Sequence, residues 1–245
     1  MDEQLIARFD DTQRRSIALM SALIPRLEAG MSERDISRIA ADMLPEYGFD
    51  GWFYPPEVQI GSSTTRAGIW RPPSTRTRLK VGDTVMLALG PSDGRTAGDV
   101  CTTLSFRTPE SQLISNARDC TRATCGYASS LKCVGELFIY ARTWAANHQL
   151  SLANPRSIGH AVLPPEGKLA TGYPRSAHMA TWLRRYQIHF LNPRRIGGMW
   201  AIGPQLASGD TGARFRELVL IAPGVRRLLG RDGFEDLGRF DSPAA

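Results

Sequence analysis

A mixed α/β (α+β) fold in two similar halves is what this chain predicts, on three observations. Apolar residues recur at helical spacing in two separate stretches, 12–48 and 109–150. Strand-like apolar runs follow each stretch, first over 81–90 and 99–103, later over 198–202 and 215–222. Glu33 and Ile36 also reappear as Glu136 and Ile139 at equal spacing, an echo of an internal repeat.

Each element has its own signal. Ile17, Met20, Leu23 and Leu27 make the buried stripe of a first helix between Asp11 and Glu28, and Gly30 ends it. Ser32 caps a second helix, with Glu33 and Asp35 in its first turn where they favour the dipole. Ile36, Ile39, Ala40, Met43 and Leu44 carry that helix towards Gly48, with Pro45 near its end. A central hairpin occupies 80–108. Thr108, Pro109 and Glu110 supply a cap, a first-turn proline and an acid for the second helix pair. Leu113, Ala117, Cys120 and Thr124 line its first helix; Leu137, Tyr140, Ala141 and Trp144 line the next. Strands fill 156–229, with a hairpin loop at Ser208-Gly209-Asp210-Thr211-Gly212. The tail, 230–245, is polar and loosely ordered, and no low-complexity linker divides the chain. A single domain over 1–245 is expected.

Composition narrows the partners. The 245 residues are 42% hydrophobic, enough for a sizeable core, and no run of about 18 apolar residues exists to span a membrane. Met1-Asp2-Glu3-Gln4 lacks the basic and apolar regions of a secretory signal, so a cytoplasmic protein is expected. Cys101, Cys120, Cys125 and Cys133 form no Cys-x-x-Cys pair and read as reduced. The net charge of +6 comes mostly from arginine, in scattered pairs such as Arg14-Arg15 and Arg194-Arg195. Nucleic-acid modules concentrate their charge, so no nucleic acid and no membrane is expected as a partner; a small anionic molecule is.

The densest motif is Val81-Gly82-Asp83-Thr84-Val85-Met86-Leu87-Ala88-Leu89-Gly90, followed by Asp99-Val100-Cys101-Thr102-Thr103. Further on come Ile158-Gly159-His160-Ala161-Val162, then Gly197-Gly198-Met199-Trp200-Ala201-Ile202-Gly203-Pro204, then Arg214-Phe215-Arg216. In this order, from about Arg14 to Leu229, they resemble the pita-bread superfamily of methionine aminopeptidases, prolidases and creatinases. The resemblance implies a pita-bread fold: two pseudo-repeated halves of helices packed on a curved, mainly antiparallel sheet.

Metal-dependent members of that superfamily hold two cations with two aspartates eleven residues apart, one histidine and two glutamates. Asp99 and His160 match the second aspartate and the histidine. Ala88, Gly203 and Arg216 stand at the three remaining carboxylate positions. Two ligands are too few for a catalytic zinc or a harder divalent ion, and a guanidinium repels a cation. No metal and no other cofactor is therefore expected. The acid/base histidine of the metal-free creatinases falls at Trp70 or Arg71 in the segment Gly68-Ile69-Trp70-Arg71-Pro72. A second site histidine is His178 or, in the competing assignment, His189. The stretch 163–177 then reads as an insertion beside the site.

These residues suit an enzyme repurposed from such an ancestor. Asp99 beside His160 or His178 equips the imidazole for proton transfer near neutral pH. Arg216, with Trp70 and Arg71, is placed to hold a substrate carboxylate. Cys101 follows Asp99 by two and so shares its strand face, either as a nucleophile or as a small packed hydrophobe. The expected chemistry is C–N cleavage, elimination, isomerisation or cyclisation of a small carboxylate-bearing molecule. A non-catalytic binding module is the second reading. A metal aminopeptidase is the third, and it needs Glu166 or Glu217 to replace the missing carboxylates; a homodimer is a further option by analogy with the creatinases.

Overall fold

Pairing of antiparallel strands organises the molecule, with helices packed against the strands. A computed structural model describes residues 2–66, 72–128, 133–163, 186–222 and 225–230. Helices α1 (Glu3–Leu23) and α2 (Glu33–Met43) lead into strand β1 (Gly51–Ile60), then β2 (Thr84–Ser92) and β3 (Val100–Ser105). Helices α3 (Gln112–Tyr127) and α4 (Val134–Asn147) follow, then β4 (Ser151–Leu152) and β5 (Gly159–Leu163). The chain closes with β6 (Gly198–Ile202), β7 (Gln205–Ser208), β8 (Thr211–Arg214), β9 (Glu217–Ala222) and β10 (Val225–Leu228). The strands form three sheets, ordered β1-β2-β3, β10-β9-β6-β5 and β4-β7-β8.

The first helix starts well before the expected position. Asp2 caps it, accepting a hydrogen bond from the Gln4 N–H at 3.1 Å, and Phe9 in its second turn is fully buried. Its apolar stripe is hard to read because Thr12, Gln13 and Ser16 share the buried face. They are buried with partners: Thr12 and Thr96 share a hydrogen bond, and Gln13 bonds the backbone of Asp99. The second helix stops at Met43; Pro45 forces a tighter turn, and Gly48 at φ 71° takes the left-handed conformation that lets the chain reverse.

The second helix pair also differs at its start. The N-cap position is Ser111, not Thr108; Glu110 precedes it, and its carboxylate is forked by the Arg118 guanidinium. In the last strands, the run expected over 215–222 begins its pairing only at Glu217. Phe215 and Arg216 precede it, and Arg216 bridges to Cys101 on β3. That bridge ties the β1-β2-β3 sheet to the C-terminal strands. Leu163, the first residue of the expected insertion, ends β5; residues 164–177 lie outside the described part, as do 231–245. Gly230 is anchored, its N–H donating to Asp10 at 3.1 Å.

Candidate functional site

Four segments converge on Asp99. Asp99 directly precedes β3 and is fully buried. The Gln13 side chain from α1 fixes its backbone from both sides, donating to its carbonyl and accepting its N–H, each at 2.8 Å. From β1, the Tyr54 hydroxyl donates to Oδ1 at 2.8 Å. From the turn between β8 and β9, Arg216 Nη1 donates to the same oxygen at 2.7 Å and to the Tyr54 hydroxyl at 2.8 Å. From β5, His160 Nε2 lies 3.0 Å from Oδ2, an ion-pair distance without the alignment of a hydrogen bond. Phe53 stacks on the His160 ring, with centroids 6.0 Å apart.

Strand alternation explains why Arg216 reaches this point. Arg214 and Arg216 face one side, while Phe215 between them is buried in a separate apolar cluster. The Arg216 N–H donates to the Cys101 carbonyl at 3.1 Å, which sets the register. Glu217, the candidate replacement carboxylate, follows at the start of β9, paired with Ile202 on β6. Arg214 makes the neighbouring pair: its Nη2 donates to Glu57 at 2.7 Å and its Nε to the Cys101 sulfur at 3.2 Å.

Charge is balanced inside the cluster. Burial opposes ionisation of Asp99, but the Arg216 guanidinium and the adjacent His160 outweigh it and hold its carboxyl at about 2. Burial also penalises a charged Glu57, and the Arg214 guanidinium overcomes it, so that carboxyl too is lowered. Two carboxylates thus face two guanidiniums. The Tyr54 phenol is pushed well above its usual value by burial and then by Asp99, so it keeps the proton it donates. Burial raises the Cys101 thiol. Cys101 is fully inaccessible, its sulfur partners are atoms of Arg214, and it packs with Met86 and Ala88.

The sequence thus pointed to Asp99, His160 and Arg216, and the fold brings them together, with Cys101 alongside. His178, Trp70 and Arg71 lie outside the described residues. His189 is half-buried on the segment bordering β5, and its Nε2 has no hydrogen-bond partner among the described residues. Tyr54, Gln13, Glu57 and Arg214 were not foreseen. Only Arg214 carried a local signal, standing two residues from Arg216 and so on its face.

The profile of metallopeptidase family M24 matches residues 7–223. The chain belongs to this family. Solved structures agree on the fold: an X-Pro aminopeptidase from Thermotoga maritima superposes with a TM-score of 0.72 at 16% identity, covering 94% of this chain and 62% of its own. A prolidase from Pyrococcus furiosus gives 0.71 at 16%, covering 94% and 64%. A dipeptidase PepE from Mycobacterium ulcerans gives 0.72 at 16%, covering 93% and 58%. The chain therefore has the pita-bread fold and spans about three-fifths of the length of these structures. No curated protein matches it by sequence.

Among the described residues the donor set of this M24 chain does not fit the family's pair of cations. Ala88 is fully buried between Glu57 on β1 and Cys101 on β3, and Glu57 is engaged by Arg214. A Cβ at Gly203 would lie 2.4 Å from the Phe215 carbonyl oxygen, so the strand has closed over the place of a glutamate stem. The Arg216 guanidinium sits on Oδ1 of Asp99, so one of the two carboxylate oxygens is already taken by a positive charge. No group of three or more histidine, cysteine, aspartate or glutamate side chains with metal-binding geometry occurs among these residues.

Proposed function

We propose that this M24 chain is a metal-independent enzyme that performs acid/base chemistry on a small carboxylate-bearing molecule. The supporting observation is Asp99 held between Arg216 on one oxygen and His160 beside the other. In this reading Arg216 supplies the positive charge that cations supply elsewhere in the family. Asp99 stays ionised 3.0 Å from the imidazole Nε2, where its charge favours a proton on the ring as the imidazole accepts one from substrate. Tyr54 keeps its proton and is the second proton-bearing group.

In this reading Arg216 meets the substrate carboxylate along its Nε edge. Its Nη1 is committed to Asp99 and Tyr54, while its buried Nε has no hydrogen-bond partner among the described residues. A substrate carboxylate is therefore received side-on, along the Nε edge. C–N cleavage, elimination, isomerisation and cyclisation all need only a positioned base, a proton donor and an anchored carboxylate.

One observation favours a second reading, a non-catalytic binding module. Asp99 is 0% exposed, and His160 and Arg216 are each 6% exposed, which suits a closed polar cluster. Assaying small amides, ureas and amino-acid derivatives that bear a carboxylate, all in EDTA, separates the readings. The enzyme reading expects conversion that persists in EDTA and falls by about 10²- to 10⁴-fold in His160→Ala. Binding without conversion assigns the module. Conversion only after a divalent cation is added returns the chain to the metal-dependent chemistry of its family.

A further inference from the structure

A second concave site lies apart from Asp99. It is a cleft of about 430 Å³ between the turn that follows β1 and the segment leading into β2. Gly61 and Ser62 form one wall; Arg76, Arg78, Lys80 and Asp83 form the other. Along β1, Ile60 at the cleft is six residues from Tyr54 at the centre, roughly 20 Å at about 3.3 Å per residue. The two sites are therefore separate.

Three cations converge on this cleft against one lining carboxylate. Asp83 is already engaged, its Oδ2 accepting the Lys80 backbone N–H at 2.8 Å. Arg78 is positioned by the Gly30 carbonyl at 3.1 Å and by Asp35 at 3.3 Å. The Arg76 and Lys80 side chains have no ion-pair partner among the described residues. Like charges gathered on one surface repel unless an anion or solvent screens them.

The walls are braced from behind. Glu33, 0% exposed, accepts the Ser63 hydroxyl at 2.8 Å and the Ile60 N–H at 3.3 Å from one wall. Its other oxygen accepts the Ser74 N–H at 2.8 Å from the segment that carries the arginines. The Leu79 N–H donates to the Met31 carbonyl at 2.9 Å, and the Gly30 N–H to the Leu79 carbonyl at 2.8 Å. The cleft is thus pre-formed, with its cations held on a fixed backbone. Its volume falls in the range of small-molecule sites, about 300–1,000 Å³.

We propose that this cleft binds a phosphoryl oxyanion, free or as a phosphate ester of a small molecule, through Arg76, Arg78 and Lys80. Arg76 and Lys80 supply two positive charges with no ion-pair partner among the described residues, which match a dianion, and Arg78, held by Asp35, adds further N–H donors. The proposal does not depend on the chemistry at Asp99.

Calorimetric titration of the full chain with inorganic phosphate, pyrophosphate, phenyl phosphate and citrate tests it. Saturable binding of at least one phosphate is expected, at least tenfold weaker in Arg76→Gln/Lys80→Gln and unchanged in His160→Ala. Tighter binding of phenyl phosphate assigns an ester; equal or tighter binding of the inorganic ions assigns free phosphate. No saturable phosphate binding overturns the proposal. So does binding that the double variant leaves unchanged, or binding of citrate more tightly than of every phosphate. Both substituted side chains are exposed, and an unchanged melting temperature shows that the variant is folded.

Discussion

Asp99 and Arg216 are each buried, and each is tolerable there only because of the other. Removing one partner of a buried ion pair leaves a charge without compensation, which costs about 3–5 kcal/mol. Arg216→Ala is expected to lose that much stability in urea unfolding, and Asp99→Ala a similar amount. Arg216→Ala/Asp99→Ala should lose clearly less than the two together, since no lone charge remains. The pair also sets a pH dependence. The Asp99 carboxyl titrates at about 2 in the fold against an ordinary 3.8, so the unfolded chain takes up its proton first as pH falls. Its stabilisation, on the order of 2 kcal/mol, is complete above about pH 4 and is lost between about pH 4 and pH 2. Asp99→Asn should flatten that part of the stability profile, measured from urea midpoints at pH 5, 4 and 3.

The end of β6 and the entry to β9 act as one unit. Gly203 fits only because Phe215 and Arg216 press against it, and the same closeness delivers Arg216 to Asp99. Gly203→Ala is expected to destabilise by about 1–3 kcal/mol, because the atom a Cβ meets is backbone and cannot swing aside. Differential scanning calorimetry checks this, and an unchanged melting temperature would mean that the two strands are not packed so tightly. The hairpin β2–β3 was readable from the sequence because its apolar run is nearly continuous and buried on both faces. The first part of α1, Glu3 to Asp10, was not, because the buried polar residues Thr12, Gln13 and Ser16 separate Phe9 from the apolar stripe that starts at Ile17. Thr12 and Gln13 look like surface residues until Thr96 and Asp99 are seen opposite them.

Across the molecule, the fold was legible because ordered motifs survive along most of the chain, even at the 16% identity shared with the solved structures. Asp99, His160 and Arg216 were legible for the same reason: motif order fixes which residues stand at the family's ligand positions. Tyr54 and Glu57 were not, since only the β1–β2 register brings them beside Ala88 and Gly90. The fully buried Ala88, the closed approach at Gly203 and the guanidinium at Arg216 occur together in one centre. Together they give a centre whose buried charges are balanced by one another.

In the proposed function Arg216 takes the place of the cations. Calorimetric titration of the EDTA-treated protein with Mn²⁺, Co²⁺ and Zn²⁺, repeated on Asp99→Ala, tests it most directly. No saturable binding that depends on Asp99 is predicted for any of the three ions. Micromolar or tighter binding to the wild type, lost in Asp99→Ala, would contradict the account.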